Sequence, residues 1–196
     1  MIFPHPYEER TLATIFHERV DSSPDRIFLM DDLGDLSWAE AWDQCSKLAS
    51  GFQKVGIGWG DYVGLMLGNR REFVLTWFAL AMLGAIEVPI PVDSVASSLS
   101  YLTNHTGLRV VVLEAEYLDR FANIQPRPDS LELMVLVAHD SGAESPWNCL
   151  DFDELLQDTK VSCPAEVTYA DQVAVMYTSG STGLPKGAIL SQGHHY

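Results

Sequence analysis

Val173-Ala174-Val175-Met176-Tyr177-Thr178-Ser179-Gly180-Ser181-Thr182-Gly183-Leu184-Pro185-Lys186-Gly187-Ala188-Ile189-Leu190 is an apolar run, a loop of hydroxyls and glycines, and a second apolar run. It reads as strand–loop–strand. Pro185 pushes the residue before it toward extended backbone, which disfavours a helix opening inside the loop. From Thr178 to Gly187 the chain carries four hydroxyls, three glycines and one lysine. Glycine lets backbone approach a ligand closely, successive N–H groups form anion-binding nests, and Lys adds a compact positive charge. That set suits a polyphosphate; a Ser/Gly-rich surface turn is the plainer alternative. The loop is not a Walker P-loop, which needs G-x-x-x-x-G-K-[ST]. Counting from Gly180, Pro185 stands where the second Gly belongs, and Gly187 follows Lys186.

Outward from this loop, the pattern alternates helix and strand. Leu12, Ile15, Phe16 and Arg19-Val20 suggest a short amphipathic helix ending before Ser22-Ser23-Pro24. A strand over 26–30 and a tight turn over 31–35 follow. Ser37 with Glu40 three residues on forms a capping box. Trp38, Ala41, Trp42, Cys45, Leu48, Ala49, Phe52 and Val55 then recur at helical spacing, stopped by Gly56. A buried strand spans 62–67. Asn69 and Glu72 make a second cap pair for a helix to Leu83, with Gly84 behind it. Strands are expected over 86–90, 109–113 and 131–137, with a helix from Ser94 to His105 and another over 114–122. Residues 139–166 read as an irregular connector around one short helical segment, 152–156. These repeats predict an α/β fold: a mainly parallel sheet with helices on both faces.

The helix from Phe73 to Leu83 is apolar on nearly every face. It is expected to lie between the sheet and a cover outside this chain, and so to leave an apolar patch that invites self-association.

Composition narrows the function. With 47% apolar residues among 196, the chain can bury a normal core, and its net charge of −15 argues against a nucleic-acid partner. It also argues against docking on anionic membrane. No apolar segment reaches the ~18 residues of a membrane span, and Met1-Ile2-Phe3-Pro4-His5-Pro6-Tyr7 has no secretory-leader pattern. Three cysteines, Cys45, Cys149 and Cys163, lack C-x-x-C spacing. Reduced thiols and a cytoplasmic setting are expected.

Tyr177 to Gly187, YTSGSTGLPKG, resembles the phosphate-loop signature of the adenylate-forming (AMP-binding) superfamily, Y-T-S-G-T-T-G-x-P-K-G. The superfamily includes acyl-CoA synthetases, luciferases and the adenylation domains of peptide synthetases. Leu36-Ser37-Trp38-Ala39-Glu40 is similar to the family's L-[ST]-[YW]-x-E segment. Asn69-Arg70-Arg71-Glu72-Phe73 through Leu83-Gly84-Ala85-Ile86-Glu87-Val88-Pro89-Ile90 resembles N-x-x-E-F…G-A-x-x-V-P-[IL]. The resemblance runs from about Thr11 to the last residue.

It implies a partial N-terminal AMP-binding domain over 1–196, with the phosphate loop at 177–187 and the C-terminal domain absent. It implies ATP, Mg²⁺ and coenzyme A as cofactors or co-substrates, and a small carboxylic acid as substrate. Thr178, Ser179, Gly180, Ser181, Thr182, Gly183 and Lys186 would hold the ATP phosphates, with Thr182 near the metal. Lys186 would clamp charge; the family's catalytic lysine lies beyond this stretch, so no catalytic residue is expected here and the chain alone should be inactive. A carrier-protein-loading adenylation domain and a non-catalytic folded module are the alternatives.

Other groups read as structural. Adjacent His194-His195 do not share a helix face, and no ligand-spaced Cys, Asp or Glu accompanies them. Glu8-Glu9 and Asp31-Asp32 read as solvated, Arg70-Arg71 as surface residues, and Gly56-Ile57-Gly58-Trp59-Gly60 as a turn.

Overall fold

The computed structural model describes residues 5–138, 145–157, 167–178 and 184–195. A short antiparallel pair, β1 (Ile27–Leu29) and β2 (Leu36–Ser37), stands apart from the main sheet. The main sheet comprises β3 (Tyr62–Met66), β4 (Ile86–Pro89), β5 (Val110–Glu114), β6 (Leu133–Val137), β7 (Asn148–Asp151), β8 (Gln172–Thr178) and β9 (Lys186–Ser191). Their order is β7-β6-β5-β3-β4-β8-β9, and every neighbouring pair is parallel except β8 with β9. The mainly parallel α/β architecture is thus observed.

The helices are α1 (Leu12–Ser22), α2 (Trp38–Lys54), α3 (Arg71–Leu83), α4 (Ala96–Thr106), α5 (Leu118–Ala122) and α6 (Phe152–Leu155). Strand residues alternate between two cores. Val63, Leu65, Val110, Val112 and Val135 pack with Leu48 and Phe52 of α2 and Leu75 and Ala79 of α3. Val88, Val111, Leu113, Met134 and Leu136 pack with Leu99 and Leu102 of α4 and Phe121 of α5. Strands covered on both faces read as near-continuous apolar runs, which is why they were visible in the sequence. No helix among the described residues is long and apolar enough to cross a membrane.

Helix starts test the capping expectations one by one. Ser37 and Glu40 form the expected box, with Ser37 N–H donating to Glu40 at 2.8 Å and Glu40 N–H to Ser37 Oγ at 3.2 Å. Asn69 does not cap α3: Arg70 holds that position, with no side-chain cap. Glu72 accepts from the Arg70 guanidinium instead, at 2.7 and 3.1 Å. Ser94 lies ahead of the α4 cap residue, Val95, and bonds Pro91 through its backbone N–H at 2.9 Å. In both cases the cap position falls one residue beyond the expected cap, and the residue that takes it makes no side-chain cap bond. Asp31 is likewise not merely solvated, because its carboxylate is ion-paired with Arg71. That guanidinium holds the Asp31 carboxyl below the usual carboxylate range.

The connector is more ordered than expected where it is described. Residues 148–151 form β7, parallel to β6, and α6 follows behind a second capping box, Asp151 with Glu154. β7 escaped the apolar-run signal because it is an edge strand whose first two residues, Asn148 and Cys149, are exposed. Cys163 lies outside the described residues.

The bare face expected on α3 is also corrected. Phe16 of α1 packs on Phe78 with ring centroids 4.7 Å apart, and Phe28, Trp38 and Trp42 ring Phe16 at 5.3–5.6 Å. The cover for α3 therefore comes from this chain's own first helix and first hairpin. No α3 residue is among the exposed large hydrophobic side chains, and Phe73, Val74, Trp77 and Phe78 are half-buried.

Two positions follow from packing rather than pattern. Gly51 lies inside α2, where glycine costs about 1 kcal/mol of helix propensity relative to alanine. A Cβ there would sit 2.5 Å from the Leu155 carbonyl oxygen and 2.7 Å from its Cα, so the glycine seats α6. Glu87 sits on β4 between β3 and β8, 1% exposed, with Oε2 lacking a hydrogen-bond partner. Burial pushes its carboxyl up to about 8.

Gly51→Ala is expected to destabilise the chain by about 1–3 kcal/mol, because the overpacking cost exceeds the propensity gain. A rise in the urea midpoint would show that α6 yields freely. For Glu87, the folded chain keeps a proton that the unfolded chain releases above its ordinary value of 4.5. Stability from this group is intact below that pH and drains away as pH rises toward about 8. The gap in urea midpoint between Glu87→Gln and wild type should widen in the variant's favour across that window. A pH-independent gap would contradict the buried neutral acid.

Candidate nucleotide-phosphate site

β8 and β9 are the two arms of the loop region. Their register sets Thr178 opposite Lys186, Tyr177 opposite Gly187 and Met176 opposite Ala188. Strand–loop–strand geometry therefore holds for both flanks. Ser179, Gly180, Ser181, Thr182 and Gly183 lie outside the described residues. Thr178 and Lys186, the flanking candidates, are exposed at the mouth of the hairpin.

Because β3 to β8 are parallel, their carboxyl ends share one sheet edge, and the loop leaves from that edge at Thr178. Ligands of open α/β sheets bind outside the carboxyl ends of strands. A cleft of about 290 Å³ lies there, lined by Asp93, Ser94, Ser98, Tyr101, Thr178 and Pro185 among others. It joins the outgoing loop of β4 to the loop arms. At the β3/β5 ends, Glu114 accepts from Gly68 N–H at 2.8 Å and from Arg70 at 3.0 Å, closing that part of the edge with an ion pair. The Arg70-Arg71 pair is thus committed to Glu72, Glu114 and Asp31.

Tyr177 is held through both its ring and its hydroxyl. Its ring lies against the position a Gly187 side chain would take: a Cβ there would meet Val175 Cγ1 at 2.7 Å and Tyr177 Cζ at 3.4 Å. Its hydroxyl is 2.6 Å from His105 Nδ1, with either atom donating according to the imidazole tautomer. Burial holds the Tyr177 phenol above its usual range, so it stays a neutral hydroxyl. Tyr101 donates its hydroxyl to the Pro185 carbonyl at 3.1 Å.

The residues at the chain's end take structural posts. His194 Nδ1 accepts from Ser191 N–H at 3.0 Å, and the His195 ring meets Trp77 edge-on at 5.3 Å. Burial, with neighbouring His194, keeps His195 below the usual imidazole range. Among the described residues no group of three or more His, Cys, Asp or Glu is placed to hold a metal ion.

The pattern of AMP-binding enzymes matches residues 16–196. The chain belongs to that family. Among curated AMP-binding relatives, it is 28% identical over 183 residues to the medium/long-chain fatty acid–CoA/3-oxocholest-4-en-26-oate–CoA ligase of Mycobacterium marinum, covering 91% of this chain and 33% of that protein. It is 30% identical over 186 residues to 4-coumarate–CoA ligase 3 of Arabidopsis thaliana, covering 92% of this chain and 32% of that protein. The chain thus spans about a third of the length of these relatives. A Rhodopseudomonas palustris crystal structure described as a long-chain-fatty-acid CoA ligase superposes with a TM-score of 0.83 at 29% identity, over 94% of this chain and 45% of that one. The N-terminal domain of FACL13 from Mycobacterium tuberculosis shares the fold, with a TM-score of 0.79 at 24% identity over 93% of this chain and 44% of that one.

Sequence reasoning on this AMP-binding chain missed Tyr101, His105 and Gly187's packing role. Tyr101 and His105 stand four residues apart on α4, a visible same-face spacing. Nothing local pointed from His105 to Tyr177, a partner 72 residues away.

Gly187→Ala should lower stability by about 1–3 kcal/mol, since the new methyl presses a stiff β-branched neighbour, Val175, at 2.7 Å. Urea denaturation checks this, and an unchanged midpoint would mean that β9 slides away from β8 at no cost.

Proposed function

We propose that this chain forms the phosphate-gripping part of an acid–thiol ligase. In this reading the whole protein joins a carboxylate to the α-phosphate of ATP, releases pyrophosphate, and transfers the acyl group to coenzyme A. The observation that carries it is the β8–β9 hairpin with its YTSGSTGLPKG loop at the carboxyl edge of a parallel sheet, within a family match covering most of the chain.

The donor set fits a polyphosphate. Thr178 and Lys186 face each other across the arms and are solvent-accessible, and Ser94 and Ser98 add hydroxyls along the adjoining cleft. In this proposal Thr178, Ser179, Gly180, Ser181, Thr182 and Gly183 offer N–H and hydroxyl donors to the β- and γ-phosphates. Lys186 supplies the positive charge that an overall acidic chain must create locally. As charge builds on the phosphorus centre, pre-positioned donors stabilise it without reorganising. Mg²⁺, when bound, would neutralise phosphate charge, and Thr182 is its proposed neighbour.

Coenzyme A is favoured over a carrier protein as acceptor because relatives at 28–30% identity are named CoA ligases. The acids in those names are fatty, steroid and coumaric, so an acid with an apolar body is the proposed substrate class. Free thiols at Cys45 and Cys149 accord with the cytoplasmic setting proposed for it.

In the full-length ligase, Lys186→Ala and Thr182→Ala should each lower turnover by about 2–4 kcal/mol of transition-state stabilisation with the fold unchanged. Pyrophosphate release at saturating acid measures this. Wild-type rates in both variants would refute the phosphate-site reading.

A further inference from the structure

The loop arms sit at the weak end of the sheet. Among the described residues β9 pairs with β8 alone, and Leu184 and Ile189 are 65% and 57% exposed. Edge segments with few buried contacts open readily. A loop that must present donors at fixed spacing needs more than one ladder to hold its stems.

α4 supplies the additional hold. Leu99 and Leu102 root the helix in the core, and Ser100 Oγ donates to the Gln125 carbonyl at 2.8 Å. Tyr101 and His105 project from the same face one turn apart, with rings stacked at 5.2 Å. The Tyr101 hydroxyl donates to Pro185 O, and His105 Nδ1 shares a hydrogen bond with Tyr177 OH. Tyr177 is one peptide before Thr178, and Pro185 is one peptide before Lys186. The helix therefore holds the chain at Tyr177 and Pro185, each one residue before a flanking phosphate candidate, Thr178 or Lys186. Gly187 lies beside the Tyr177 ring on the facing strand, where an added Cβ would touch that ring at an ordinary 3.4 Å and press Val175 Cγ1 at 2.7 Å.

We propose that Tyr101 and His105 are positioning residues for nucleotide binding: together they form an α4 latch that fixes the separation of the two phosphate-loop stems. This rests on the phosphate-site reading above. In this proposal both act through their hydrogen bonds to Tyr177 and Pro185. The latch holds the stems at Tyr177 and Pro185 before ATP arrives, so its loss falls on ATP affinity rather than on the acid. Tyr101 also lines the cleft beside the loop, so a molecule seated there presses on the same helix face.

The test uses the full-length ligase and pyrophosphate release, with ATP and acid varied separately. Tyr101→Phe, Tyr177→Phe and His105→Ala should each raise the KM for ATP by about three- to tenfold, the range of one hydrogen bond. The KM for the acid and the thermal midpoint should hold. The His105→Ala/Tyr177→Phe double variant should be no worse than either single, because both remove one bond. Tyr101→Phe combined with Tyr177→Phe should multiply. His105→Asn, which keeps a polar atom near the Nδ1 position, should recover part of the loss. Unchanged KM for ATP, multiplicative loss in the His105/Tyr177 double, or an equal rise in both KM values with a fallen midpoint would overturn the latch. Lys186→Ala separates the two claims. If it is impaired while the latch variants behave as wild type, the latch alone fails; if it is fully active, the phosphate-site reading fails first.

Discussion

β8 is hydrogen-bonded to a parallel strand on one side and an antiparallel strand on the other. The rest of the site depends on that change of sense. A parallel neighbour commits the end of β8 to the carboxyl edge, where β3, β4 and β5 also deliver their loops. An antiparallel neighbour returns the chain at once, so the entry and exit of the loop stand side by side as Thr178 and Lys186. A helical crossover after β8 would have carried Lys186 to the opposite edge of the sheet, away from the hydroxyls.

Much of this was legible because the sheet is covered on both faces. Strands such as Val110–Glu114 and Leu133–Val137 show as apolar runs whichever neighbour they acquire. The Ser37–Glu40 box was legible because its bonds are local. The phosphate loop was legible because its chemistry is concentrated in one stretch of chain. Failures came where a distant partner decided the outcome. Asn69 yielded the start of α3 to Arg70, whose charge is spent on Glu72 and Glu114. β7 was hidden by its exposed side chains, and Phe16's role as a cover for α3 depends on the path of α1.

Buried polar residues were the least legible. Gln192, which no sequence pattern singles out, is fully buried and joins two helices. It accepts from Leu12 N–H at 3.0 Å and donates to the Ala81 carbonyl at 3.2 Å. One amide thus satisfies an orphan donor at the start of α1 and a carbonyl near the end of α3. Glu87 interrupts an apolar strand in the sequence without announcing that it faces inward. A strand's period places alternate residues on opposite faces, but it does not say that both faces are covered.

The notch at Gly51 bears on how freely pieces of such a fold can be exchanged. α2 and α6 meet there backbone to helix, without a side chain to absorb differences in shape. The segment over 145–157 is therefore keyed, through Leu155, to Gly51, a position 104 residues earlier, although it sits at the far edge of the sheet from the phosphate loop. Recombination within this family would have to move both halves of the key together. A graft of that edge from a relative with a bulkier residue at the notch would bring a mismatched surface, even with every strand in register.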